Sequence, residues 1–81
     1  MNVRVLLFAA LTEQGGTSEL ELTLPDNATA GDVKTHLKQK FASMEPLLDS
    51  CAIAVNQSYV KPDHKLREGD DVAIIPPVSG G

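Results

Sequence analysis

The sequence predicts an α+β domain: a mixed sheet with one main helix packed on one face. Three observations predict it. Two N-terminal segments alternate apolar and polar residues with a period of two. One central segment carries apolar residues at helical spacing. Three short apolar runs then follow, punctuated by turn residues.

Val3 to Ala9 reads as the first strand, with Val3, Val5 and Leu7 on one face and Arg4, Leu6 and Phe8 on the other. Gly15-Gly16 then marks a connection, read as a hairpin loop. Ser18 to Leu24 alternates cleanly, Leu20, Leu22 and Leu24 inward and Glu19, Glu21 and Thr23 outward, before Pro25-Asp26-Asn27 ends it. Thr29 with Asp32 three residues on predicts a capping box, Asp standing in for the usual Glu. Val33, Leu37, Phe41 and Met44 form the stripe of the helix, and Lys34, Lys38 and Lys40 fall off it as a solvated face. Pro46 is expected to stop the helix, leaving Pro46-Leu47-Leu48 as a short turn. Cys51 to Val55 is a third strand, Asn56-Gln57-Ser58 a tight turn and Tyr59-Val60 a short strand. Glu68-Gly69-Asp70 is a further turn into the last strand, Asp71 to Ile75. The first and last strands enclose the others in sequence, so both can lie centrally and parallel, joined through the helix.

A chain of 81 residues is one small domain that must use its core efficiently, and a hydrophobic content of 42% makes that achievable. Lys and Arg number 7 against 11 Asp and Glu, a net charge of −4, which argues against nucleic acid and anionic membranes and suits a basic protein partner. The single cysteine, Cys51, can form no internal disulfide, which suits a reducing, cytoplasmic setting. No leader pattern follows Met1, and the apolar run Val5 to Leu11 is far short of the roughly 18 residues a bilayer requires.

The most informative residues are the last six, Pro76-Pro77-Val78-Ser79-Gly80-Gly81. A terminal Gly-Gly arises by chance in roughly 0.5% of chains. Two residues without Cβ can enter a channel too narrow for others. Pro76-Pro77 has fixed φ and no amide protons, so it cannot extend sheet pairing and should aim an arm away from the body. The expected division is a domain over residues 1–77 and a flexible tail over 78–81 that reaches at most roughly 13 Å. The reactive group expected is the Gly81 carboxylate, with Gly80 beside it. A carboxylate is a poor electrophile, but adenylation makes it a mixed anhydride, and a sulfur nucleophile displacing AMP leaves a thiocarboxylate.

Order and spacing resemble the β-grasp fold of ubiquitin, and more closely its sulfur-carrier relatives, above all the small subunits of molybdopterin synthase. The residues that carry the resemblance are Val5-Leu6-Leu7-Phe8-Ala9, Val55-Asn56-Gln57, Asp63-His64 with Leu66, Gly69-Asp70 with Val72-Ala73, and the terminal Pro76 to Gly81. They span essentially the full length, and the terminal motif is the most specific. The resemblance implies that a ubiquitin-activating-type adenylyltransferase charges the tail with ATP. It implies that the tail then enters the active site of a large subunit within a heterotetramer, where two successive carriers supply the dithiolene sulfurs of molybdopterin from a cyclic pyranopterin phosphate. The main catalytic groups of that sulfurtransferase are expected on the large subunit, with no cofactor bound by this chain.

Alternation places Leu6, Phe8, Ala73 and Ile75 on the face away from the helix, with Tyr59 nearby, so the expected partner interface is Leu6, Phe8, Tyr59 and Ile75 together with Pro76, Pro77, Val78 and Ser79. A slip of one residue in strand phase would make them core residues instead. Other residues have plainer explanations. Cys51 opens an apolar strand and reads as structural. His36 reads as solvated, His64 and Asp70-Asp71 as turn residues, and Gly15-Gly16 lacks the following Lys-Ser/Thr of a phosphate loop. Three other functions share the signals: a sulfur carrier for another pathway such as thiamine thiazole synthesis, a ubiquitin-like modifier joined to lysines, and a plain interaction domain.

Overall fold

The computed structural model describes residues 1–77. The element order is β1 (Asn2–Leu7), α1 (Ala10–Gly15), β2 (Glu19–Thr23), α2 (Ala30–Lys40), a 3₁₀ turn (Ala42–Met44), α3 (Glu45–Leu48), β3 (Ala52–Val55), β4 (Ser58–Val60) and β5 (Asp71–Ile75). The strands form one mixed sheet in the order β2-β1-β5-β3-β4. β1 and β5 lie parallel side by side, with Arg4 opposite Asp71, Leu6 opposite Ala73 and Leu7 opposite Ile74. The other pairs are antiparallel. With α2 covering one face, this is the β-grasp arrangement.

Pleating sorts the strands into two faces. Val3, Val5, Leu7, Leu22, Ile53, Val55, Val72 and Ile74 are buried with Val33 and Leu37 of α2 and with Met44 and Leu48 beyond it. Leu20, expected inward with Leu22 and Leu24, is only half-buried, because it sits near the start of the edge strand β2. The capping box forms: the Thr29 side chain accepts from the Asp32 backbone, and the Thr29 backbone N–H donates to Asp32 Oδ2 at 2.9 Å. The loop before β5 completes this helix start, since Ala30 N–H donates to the His64 carbonyl and Gly31 N–H to the Pro62 carbonyl, each at 2.8 Å. Gly31 allows this close approach: a Cβ would stand 3.2 Å from the Pro62 oxygen, so the loop would have to shift by a few tenths of an ångström to take one.

Three elements depart from expectation. The first strand ends at Leu7 rather than Ala9, and the supposed hairpin loop contains the helix α1, closed by Gly16 in the left-handed region at φ 71°. α1 buries Leu11 completely in the core cluster that also holds Leu7. The main helix stops at Lys40, well before Pro46: Phe41 is non-helical at φ −131° and ψ 82°, so Met44 of the expected stripe lies in the separate 3₁₀ turn, and Pro46 sits in the first turn of α3 where its missing N–H costs nothing. The lysines of α2 are not simply solvated: Lys34 Nζ donates to the Cys51 carbonyl at 2.6 Å, and Lys38 pairs with Asp49.

Candidate functional site

The sheet face opposite α2 is open. β1 contributes Arg4 and Leu6, the residue after it is Phe8, β5 contributes Asp71, Ala73 and Ile75, and β3 and β4 contribute Ala54 and Tyr59. Together with Gln57 they line one shallow groove. Phe8 is 46% exposed and Tyr59 73% exposed, and they are the exposed large hydrophobics among the described residues. The strand phase read from alternation therefore holds: Leu6, Phe8, Tyr59 and Ile75 share a surface and do not enter the core. Pro76 is half-buried and Pro77 exposed, immediately past Ile75. Val78, Ser79, Gly80 and Gly81, expected to form the reactive tail and part of the interface, lie outside the described residues.

The groove is graded along the strands. Because β1 and β5 run parallel, Phe8 and Ile75 lie at the end from which residues 76 and 77 emerge. Arg4 and Asp71 lie at the opposite end. There Arg4 donates from Nε and Nη2 to the two carboxylate oxygens of Asp71, both at 2.9 Å, with Glu19 3.6 Å from Nη1. The hydrogen bond from Arg4 holds the Asp71 carboxyl below the usual carboxylate range, and the Arg4 charge adds to the effect. Asp71 is thus an ion-pair residue rather than only a turn residue. Its neighbour Asp70 keeps the turn role, accepting from Arg67 N–H and from Asn56 Nδ2.

Local sequence explains how two of these side chains come to the surface. Phe8 precedes Ala9, whose positive φ of 51° bends the chain from β1 into α1. That bend leaves Phe8 at the edge of the groove while Leu7 stays inside. Asn56 and Gln57, at φ 51° and 74°, form a two-residue turn between β3 and β4. The alternation reading missed Gln57, Arg4 and Asp71 as groove residues. The signal available was the pleat itself, which puts Arg4 on the face of Leu6.

The remaining candidates do not assemble into a second site. Cys51 is buried and its Sγ–H donates to the Leu47 carbonyl at 3.1 Å. Burial pushes its thiol pKa up, against a smaller opposing effect of Lys34, so it is a poor nucleophile. His36 Nδ1 lies 3.0 Å from the Asp32 carbonyl one helical turn earlier. Among the described residues, no group of His, Cys, Asp and Glu side chains could hold a metal ion. No described helix is long and apolar enough to cross a membrane.

The described site is thus a groove of mainly apolar side chains at the exit of the last strand, with the Arg4–Asp71 pair at its far end. The ThiS family model matches residues 5–81. This chain belongs to the ThiS family. Among curated relatives, the molybdopterin synthase sulfur carrier subunit of Chlamydomonas reinhardtii is 39% identical over 83 residues, covering 100% of both chains. The subunit of the same description from Arabidopsis thaliana is 35% identical, covering 100% of this chain and 84% of its own length. Among solved structures, molybdopterin converting factor subunit 1 of Pyrococcus furiosus superposes with a TM-score of 0.88 at 31% identity, covering 96% of this chain and 99% of that one. The small archaeal modifier SAMP1 of Haloferax volcanii reaches a TM-score of 0.90 at 26% identity, covering 100% of both.

Proposed function

We propose that this chain is the sulfur carrier subunit of a molybdopterin synthase, loaded as a thiocarboxylate on Gly81. The observation that carries the reading is the full-length likeness to sulfur carrier subunits on a fold whose last strand delivers Pro76-Pro77 beside an open apolar groove. In this reading the groove docks the chain on its partners, and the tail reaches their active sites. An adenylyltransferase binds ATP; the Gly81 carboxylate attacks the α-phosphate, releasing pyrophosphate and forming the acyl-adenylate. Sulfide displaces AMP, leaving the thiocarboxylate. The large subunit then docks on the same groove and receives the tail, and its own side chains supply the acid–base chemistry by which sulfur enters the cyclic pyranopterin precursor. Glycines at positions 80 and 81 suit both pockets because neither presents a Cβ to a close wall.

The likeness to SAMP1 supports a second reading, a protein modifier that passes the same activated carboxyl to a lysine amine. The experiment separating the two is an intact mass of the full chain after incubation with activating enzyme, ATP and a sulfur donor. Exchange of one oxygen for sulfur on the peptide ending in Gly81, lost when Gly81 is deleted from a still-folded chain, supports the carrier. An unchanged mass with isopeptide-linked conjugates supports the modifier.

A further inference from the structure

The turn between β3 and β4 carries a strain that half of it does not account for. Both central residues have positive φ, the signature of a type I′ turn, where the second position strongly favours glycine. An L-residue with a side chain is disfavoured there, because Cβ crowds the following carbonyl. Asn56 is compensated. Its N–H donates to the Asp71 carbonyl at 2.8 Å, its Oδ1 accepts from Asp71 N–H at 3.0 Å, and its Nδ2 donates to Asp70 at 3.0 Å. Gln57 has no such return: its side chain is exposed, and its carboxamide has no hydrogen-bond partner among the described residues. It instead lines the groove together with Tyr59 and the Arg4–Asp71 pair.

We propose that Gln57 is a specificity-determining residue of the docking face, its carboxamide exchanging hydrogen bonds with a peptide group of the large subunit. The proposal rests on the docking reading given above. A carboxamide presents its donor and its acceptor on separate atoms, so it can meet the C=O and the N–H of a main-chain peptide group together, which the single hydroxyl oxygen of Tyr59 in the same groove does not. Leu6, Phe8, Ala54, Ala73 and Ile75 offer only apolar contact. The Arg4 and Asp71 charges already satisfy each other. A residue at positive φ that lines the groove and has no side-chain partner among the described residues is the pattern expected where strain is retained for recognition.

The test measures affinity of the full chain for the large subunit together with thermal stability, for wild type, Gln57→Gly, Gln57→Ala and Phe8→Glu. Gln57→Gly relieves the strain and removes the amide; Gln57→Ala keeps the strain and removes the amide. Both are expected to bind about tenfold more weakly, with Gln57→Gly melting no lower than wild type. Wild-type affinity in both Gln57 variants, while Phe8→Glu fails to bind, overturns the role of Gln57 and leaves the docking face standing. Wild-type affinity in Phe8→Glu overturns the docking face, and the Gln57 proposal with it.

Discussion

Arg4 and Asp71 stand directly opposite each other on the parallel strands β1 and β5, and the guanidinium grips both carboxylate oxygens at 2.9 Å. The pair lies at the end of the groove farthest from residues 76 and 77, and it joins the first strand of the described residues to the last. Planar two-point pairing of this kind is what arginine provides and lysine does not.

That pair has a pH signature. The folded pKa of Asp71 is depressed, first by the hydrogen bond from Arg4, so its contribution is fully present above the unfolded value of about 3.9 and is lost as pH falls through the lower folded value. The melting temperature of wild type should therefore exceed that of Arg4→Met at pH 6. The gap should narrow only below about pH 4. Because both side chains are substantially solvated, the gap should also shrink in high salt. Thermal melts across pH check it, and a gap that widens on acidification contradicts the assignment.

Phe8→Glu should leave the fold intact, since the ring is 46% exposed and packs on the outside of the sheet. Loss of a buried aromatic contact of about 1.5–3 kcal/mol, with a charge placed in an apolar groove, should weaken large-subunit binding at least about tenfold. Circular dichroism and titration calorimetry check the two halves separately. An unfolded variant would return Phe8 to the core.

Leu11→Ala should be among the costlier changes in the molecule. Leu11 is fully buried on a helix of only six residues, and its truncation leaves a cavity in the core cluster it shares with Leu7. A loss of about 2–5 kcal/mol is expected, a large part of what a domain this size possesses. Urea denaturation measures it. A cost below about 1 kcal/mol would show α1 to be a detachable flap rather than part of the core.

The central frame was legible because the sheet is patterned in period two and the main helix in a stripe of four-residue steps. Val3, Val5 and Leu7 against Leu6 and Phe8 set the phase of β1, and burial of one face makes that phase hard to slip. The capping box at Thr29 was readable for the same reason: its partners are three residues apart. α1 was not readable. Six residues hold less than two helical turns, too few to show a period, and its start at Ala9 has no side-chain cap. The visible signals were Gly16 as a helix terminator and Leu11 four residues after Leu7. α3 was hidden by Pro46, which ends a helix from within but is well placed in a first turn.

What the sequence by itself determined is the set of faces: which residues of each strand and helix turn inward, and that an apolar outer face leads toward Pro76 and Pro77. Those are local properties, written in spacing. What only the tertiary structure decided is which distant residues share the groove. Arg4 meets Asp71 across 67 positions of sequence, and Gln57 reaches the same groove from the turn between β3 and β4. Pairing of strands far apart in sequence is a global solution to burying one core, and no local periodicity encodes it.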